Sequence, residues 1–293
     1  MKSRHWFRIA VVATCCQLHS GLPAHAASTI DSINCYAYGA NLGWLNWLGN
    51  PAYGAVIGEY VCSGNLYSAN VGWICLGGGA PTNGISYQNL SANDYGVNQD
   101  GLGNLTGYAY GANIGWIAFE QTYGRPKVNL LTGQFSGSVW SANCGWISLS
   151  NAVALVQTDR IQQGALAPDD LPIAWLLTYF GTTNENPNAD PTGKGMTLTQ
   201  DYLAGTDPLI ASSLLKITAA TFGRGGTNVS LSWSSVPTRF YYAQKALNLV
   251  SNTWTDSGLG LISSAGSLTS GSFTETNAPV RFYRIEAVRP LLP

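Results

Sequence analysis

A seven-residue phrase, aromatic–small–Ala–Asn–x–Gly–Trp, occurs four times in the first half of the chain. It runs Tyr38 to Trp44, Tyr67 to Trp73, Tyr110 to Trp116 and Trp140 to Trp146. Repeats at a period of a few tens of residues are structural units that bury their apolar faces against one another. The Trp residues are spaced 29, 43 and 30 apart, and copies one and three, like two and four, are separated by 72 or 73 residues. That spacing describes a pair of units duplicated once.

Each phrase reads as a β-hairpin. Ala-Asn-x-Gly fits a three-residue turn whose last position is left-handed, a conformation that Gly enters without steric cost. A second Gly lies nine residues before Trp in three copies (Gly64, Gly107, Gly137), and Cys35 takes that place in the first. Val97-Asn98 and Val128-Asn129 lead through Gly103 and Gly133 to Leu105 and Phe135, predicting a further strand per unit. After each Trp the pattern alternates, with Leu45/Trp47, Ile74/Leu76, Ile117/Phe119 and Ile147/Leu149 on one face. Period-two alternation of this kind marks a half-buried strand whose aliphatic side is the core.

Trp and the aromatic six residues before it should therefore meet across each hairpin, as Tyr38/Trp44, Tyr67/Trp73, Tyr110/Trp116 and Trp140/Trp146. Two roles are open to these eight rings. They fill a second packed layer or cover Gly-rich backbone, the commoner use of aromatic stripes. Alternatively they form an exposed ladder on which neutral sugar rings stack, in uncharged, Asn-rich surroundings.

The first 26 residues read as an export signal. Lys2, Arg4 and Arg8 are followed by an apolar stretch, Ile9 to Cys16, and by an Ala24-His25-Ala26 cleavage site. The product is expected outside the cell or at its surface. All three His of the chain (His5, His19, His25) lie in that segment, so the mature chain has no imidazole for a triad, a general base or a zinc site. No Lys or Arg occurs between Ala27 and Gly124, which argues against a nucleic-acid surface there. No later segment is apolar over the ~18–20 residues a membrane helix needs. The four remaining cysteines, Cys35, Cys62, Cys75 and Cys144, read as two disulfides of undetermined pairing in an exported domain.

A different pattern begins near residue 165. Asp169-Asp170-Leu-Pro172-Ile-Ala-Trp175 leads to Tyr179-Phe180-Gly181, and Asn188-Ala-Asp190-Pro-Thr-Gly193-Lys-Gly195 leads to Asp201-Tyr202-Leu-Ala-Gly205. This stretch of about 40 residues resembles the Asp-rich calcium linker, dockerin-like or thrombospondin type 3-like, of exported bacterial multidomain proteins. The resemblance implies two short helices, Ile173 to Phe180 and Thr197 to Ala204, beside loops of EF-hand type. Such a loop takes oxygen ligands at positions 1, 3, 5 and 12 and Gly at 6. Asp190, Thr192, Lys194, Gly195 and Asp201 occupy positions 1, 3, 5, 6 and 12. The scaffold is kept but an ammonium replaces the fifth ligand, repelling a divalent cation and free to pair with Asp190 and Asp201 itself. In the first loop, Ala165, Ala167 and Leu176 fall at ligand positions 1, 3 and 12. The segment is thus expected to be a helical connector that needs no cofactor.

From 211 to 293, β-branched and aromatic runs separated by Gly, Ser, Asn and Pro predict a small antiparallel sandwich of fibronectin type III size. The stretch from Leu249 to Trp254 and then Val280 to Ile285 weakly resembles the closing domain of the same exported proteins. The organisation expected is a signal (1–26), a repeat-built antiparallel sandwich, barrel or roll (28–150), a linker (151–164), the connector (165–209) and the sandwich (211–293). The function expected is non-catalytic: structural or adhesive, with neutral glycans or other surface proteins as partners. A glycan-binding protein using the aromatic ladder is the alternative. A glycoside hydrolase would need a carboxylate pair. The repeat half offers Asp31, Glu59, Asp94, Asp100 and Glu120, none at a recurring repeat position.

Overall fold

The computed structural model describes residues 27–223, 228–250, 253–275 and 282–292. The export signal expected at 1–26 lies outside the described residues. The fold is mainly β, with antiparallel sheets and two short helices. No helix among the described residues is long and apolar enough to cross a membrane.

The four phrases form four hairpins: β1 (Ile30–Gly39) with β2 (Gly43–Asn46), β4 (Cys62–Ser68) with β5 (Gly72–Gly78), β7 (Leu105–Gly111) with β8 (Gly115–Phe119), and β11 (Ser138–Ser141) with β12 (Gly145–Ser148). Short strands β3 (Val56–Ile57), β6 (Val97–Gln99), β9 (Lys127–Val128) and β10 (Phe135–Ser136) precede or link them, and β13 (Leu155–Thr158) follows. Neighbouring hairpins pair edge to edge, and β12 returns to β1 through Tyr38↔Ser148 and Gly39↔Ile147. Of the three architectures open to the repeat half, the chain therefore adopts an eight-stranded barrel. Residues expected to be linker contribute β13, which pairs with β1.

An eight-stranded barrel is just wide enough to be filled by its own side chains. Here the filling follows the alternation after each Trp: Leu45, Trp47, Ile74, Leu76, Ile117, Phe119, Ile147 and Leu149 are all buried. They meet Ala37, Leu66, Ala109 and Val139 across the hairpins. Burying a Leu, Ile or Phe is worth about 1.5–3 kcal/mol each, so this set is the main stabilising term. Trp47 packs edge-on against Phe119 and Phe135, at 6.3 and 5.1 Å between ring centroids.

All four turns lie at one end of the barrel. Gly43, Gly72, Gly115 and Gly145 have φ of 74° to 78°, the left-handed geometry the sequence calls for. The turn Asn has a second role. Each donates its side-chain Nδ2 to the turn carbonyl of the preceding hairpin: Asn70 to Leu42, Asn113 to Val71, Asn143 to Ile114, and Asn41 to Cys144, at 2.9 to 3.2 Å. The four bonds form a closed cycle. The residues supplying those carbonyls are apolar, and their side chains pack into the barrel core from that end. The second glycines serve close approach: a Cβ on Gly64 or Gly107 would stand 2.1 or 2.3 Å from the carbonyl oxygen of Gly54 or Gly96.

No disulfide joins the four cysteines among the described residues. Cys35, Cys62 and Cys144 belong to the barrel core. They sit at different heights in it: Cys144 in a turn, Cys35 midway along β1, Cys62 at the opposite end of β4. Cys75 occupies an outward position on β5 between the buried Ile74 and Leu76.

The connector contains α1 (Ile173–Phe180) and α2 (Leu198–Ala204). Helix α1 ends at Gly181 (φ 68°), and α2 starts from a capping box made by Thr197 and Gln200. The last module holds β14 (Ile217–Phe222), β15 (Asn228–Ser234), β16 (Phe240–Ala246), β17 (Thr255–Asp256), β18 (Ile262–Ser263), β19 (Leu268–Thr274) and β20 (Phe282–Val288). One sheet is β14-β15-β19; in the other, β16 pairs with β17, β18 and β20. Val229, Leu231, Trp233, Tyr241 and Phe273 form the core between them.

A polar cluster joins the three modules, beside the packing of Leu291 on the barrel core and of Tyr60 on the connector core. Glu59 of the barrel accepts a 2.6 Å hydrogen bond from Tyr202 of α2 and faces Arg239 at 3.4 Å and Arg289 at 3.6 Å. Arg239 also donates to the carbonyls of Tyr202 and Leu203.

Replacing Asn113 with Ala removes one bond of the cycle and should cost about 0.5–1.5 kcal/mol in urea unfolding. Gly64→Ala should cost more than Asn113→Ala, because its Cβ would collide with backbone.

Candidate functional site

The aromatic pairs occupy the outward positions that alternate with the core. Their registers are Tyr38↔Trp44, Tyr67↔Trp73, Tyr110↔Trp116 and Trp140↔Trp146, with centroids 5.2, 4.9, 4.8 and 5.0 Å apart. Seven of the eight rings are exposed, from 37 % for Tyr38 to 51 % for Trp73. No second packed layer covers them among the described residues.

The inter-hairpin register explains how the pairs are distributed. Tyr67 stands opposite Asn46, Tyr110 opposite Cys75, Trp140 opposite Ala118 and Tyr38 opposite Ser148. Each aromatic pair is thus followed by a small or amide side chain, and the four pairs form a belt around the barrel. Tyr110 is the half-buried exception. Tyr95 packs edge-on against it at 6.2 Å and against Trp116 at 5.0 Å. Tyr36 and Tyr108 extend the belt beside Trp44 and Trp116. The strict alternation of β1 and β7 could have placed both; Tyr95, from a loop outside the phrase, carried no repeat signal.

Tyr95 is held by its loop. The Asp94 carboxylate accepts hydrogen bonds from the Thr82 and Gln88 amides. These amides, Thr82 first, hold the Asp94 carboxyl below its usual range. Glu120 does the same for the turn after β8, where the amides of Gly124, Tyr123 and Thr122 keep its carboxyl low.

The connector loop places its ammonium where a cation-binding loop would hold the ion. Lys194 Nζ lies 2.7 Å from Asp201 Oδ1 and donates to the carbonyls of Asp207 (2.6 Å) and Ser213 (2.8 Å). Both side chains are buried. All three ammonium donors are therefore engaged. Asp190 does not share the ammonium; its two oxygens accept the amides of Lys194 and Gly195 instead. Thr192 Oγ1 and Asp201 Oδ2 are buried without partners. Among the described residues no group of three His, Cys, Asp or Glu is gathered as a metal site would need.

The five barrel carboxylates are each committed locally. Asp31 caps Ile33 and Asn34, and Asp100 caps Leu102 and Asn104. Glu59 belongs to the cluster with Tyr202 and two arginines. Glu59 and Asp100 line one cavity, yet both oxygens of each already have protein partners. Comparison with family models, curated proteins and solved structures finds no match to this chain.

A carboxyl with a lower pKa in the folded than in the unfolded chain contributes stability above its unfolded pKa, which is lost as pH falls through the folded value. Thermal stability should therefore hold from neutral pH to about 4 and decline below it. Asp94→Asn should reduce that acid sensitivity and shift the Trp emission through Tyr95. Lys194→Met should cost about 3–5 kcal/mol in denaturant unfolding, since it leaves the Asp201 carboxylate buried and uncompensated.

Proposed function

We propose that the protein is a non-catalytic, exported, modular protein that adheres to neutral glycans through the aromatic belt of its barrel. The observation that carries this reading is the exposure of seven of the eight repeat aromatics. Paired indole and phenol rings offer flat apolar faces of the kind that C–H surfaces of sugar rings stack upon. The absence of Lys and Arg between Ala27 and Gly124 suits an uncharged ligand. A fourfold arrangement also favours a repetitive ligand, because several weak contacts on one surface multiply into avidity.

The committed oxygens of Asp31, Glu59, Asp94, Asp100 and Glu120 support a binding role over carboxylate hydrolysis. In the same reading residues 1–26 direct export, and the connector is a metal-independent spacer in which Lys194 substitutes for a cation. The last module is a fibronectin type III-like sandwich that holds the barrel away from its point of attachment. A purely structural barrel, with the belt contacting another surface protein, is the second reading; the same exposure favours it.

Trp44, Trp73, Trp116 and Trp146 changed singly to Ala separate these readings on a glycan array. Each variant should keep its unfolding midpoint, because the rings lie outside the core, and should lose glycan binding severalfold. Loss of folding in place of binding, or no glycan bound by the unaltered protein, would sink the lectin reading and favour the structural one.

A further inference from the structure

A cavity of about 530 Å³, apart from the belt, lies where the three modules meet. The barrel contributes Glu59, Tyr60 and Thr106, the connector Trp175 and Tyr179, and the last module Thr238, Arg239 and Arg289. Ligand pockets lie preferentially at domain junctions of this kind, walled by aromatics with a few placed polar groups.

Charge and donors at its floor are unbalanced. Two guanidinium groups face the one carboxylate of Glu59. Every nitrogen of Arg239 has a partner: Nε and Nη2 reach the carbonyls of Leu203 and Tyr202, and Nη1 that of Thr238. Arg289 differs. Its face lies over the Tyr202 ring at 5.5 Å, and among the described residues only its Nη1 has hydrogen-bond or ion-pair partners, the Tyr202 hydroxyl at 3.0 Å and Glu59 at 3.6 Å. Its Nε is buried with none. That leaves Nη2 as the donor without a partner among the described residues, and a guanidinium N–H pairs readily with a carboxylate oxygen. The Asp100 carboxylate on the rim is occupied by the turn that follows it.

The walls describe the body of the ligand. Trp175, Tyr179 and Tyr60 present aromatic surface, while Thr106, Thr178 and Thr238 bring hydroxyls to the same space. Burial, the largest influence, pushes the Tyr60 and Tyr179 phenols up, so both stay protonated and able to donate. An aromatic wall interleaved with hydroxyls suits a ring with one C–H face and a hydroxylated edge.

We infer that this inter-module cavity binds a monocarboxylate carried on a hydroxylated ring, of the uronic acid class, with its carboxylate on the Arg289 guanidinium. The site is separate from the aromatic belt and does not rest on the belt's ligand being a glycan. Arg289 follows β20 and Trp175 belongs to α1, so occupancy would also tie the last module to the connector.

Calorimetric titration of the full chain with D-glucuronate and with D-glucose tests this. Glucuronate should bind at least about tenfold more tightly than glucose. Arg289→Gln should weaken glucuronate binding by about tenfold or more. Thr178→Trp, on an exposed face of α1 at the cavity edge, should block it without touching the charge cluster. That second variant keeps the test valid if Arg289→Gln fails to fold. Trp44→Ala should leave it unchanged, which separates this site from the belt. Equal affinity for the two sugars, no glucuronate binding at ~10 mM, or binding indifferent to Arg289→Gln and Thr178→Trp would overturn the inference.

Discussion

Closure of the barrel is fastened at its turn end by a cycle of four hydrogen bonds in which each turn asparagine reaches the turn before it. A hairpin alone has two open edges and is marginally stable in water. Four hairpins side by side still leave two edges unless the last meets the first. The bond from Asn41 to the Cys144 carbonyl, 103 positions away, lies at that meeting point beside the pairing of β1 with β12. Beneath the cycle, Leu42, Val71, Ile114 and Cys144 pack into the barrel end. One turn residue therefore ties neighbours together while the next fills the core. The Gly after them makes the geometry possible.

Local features of this arrangement were legible in the amino-acid order. Glycine before each Trp fixed the turn shape, and alternation after it fixed which side chains enter the core. The resemblance to a two-helix linker implied helices over Ile173 to Phe180 and Thr197 to Ala204; they run Ile173–Phe180 and Leu198–Ala204, with Thr197 serving as the cap. What escaped depends on distance along the chain. Asn could be assigned to the turn but not to a carbonyl in another hairpin. Four cysteines in an exported-looking domain suggested disulfides, yet three serve as small apolar core residues, which is how buried thiols usually pack. The aromatic pairs were identifiable as pairs. Their exposure was not, because it depends on closure turning one sheet face wholly outward.

The connector shows how a charged group is accommodated in a buried position. A lysine there is tolerable only if its three donors and its charge are all matched. Asp201 and two backbone carbonyls do this. Asp190, the other acid of the loop, shapes backbone instead. The same economy governs Glu59, whose carboxylate draws the barrel, α2 and the last module to one point. Module positions thus rest on these oriented polar groups together with apolar contacts that cross between modules, Leu291 against the barrel core and Tyr60 against the connector core.

A closed cycle of equivalent units has no first member. The barrel's opening and closing segments already lie together, with the Asp159 amide donating to the Thr29 carbonyl and the Thr158 hydroxyl to the same oxygen. The order in which the chain visits the hairpins is therefore a matter of connection, not of shape. A shorter chain carrying one pair of hairpins would present two complementary edges, and two copies would close the same eight-stranded barrel. The 72- and 73-residue spacing between alternate phrases is the mark such a half-sized ancestor leaves once its two copies are fused into one polypeptide.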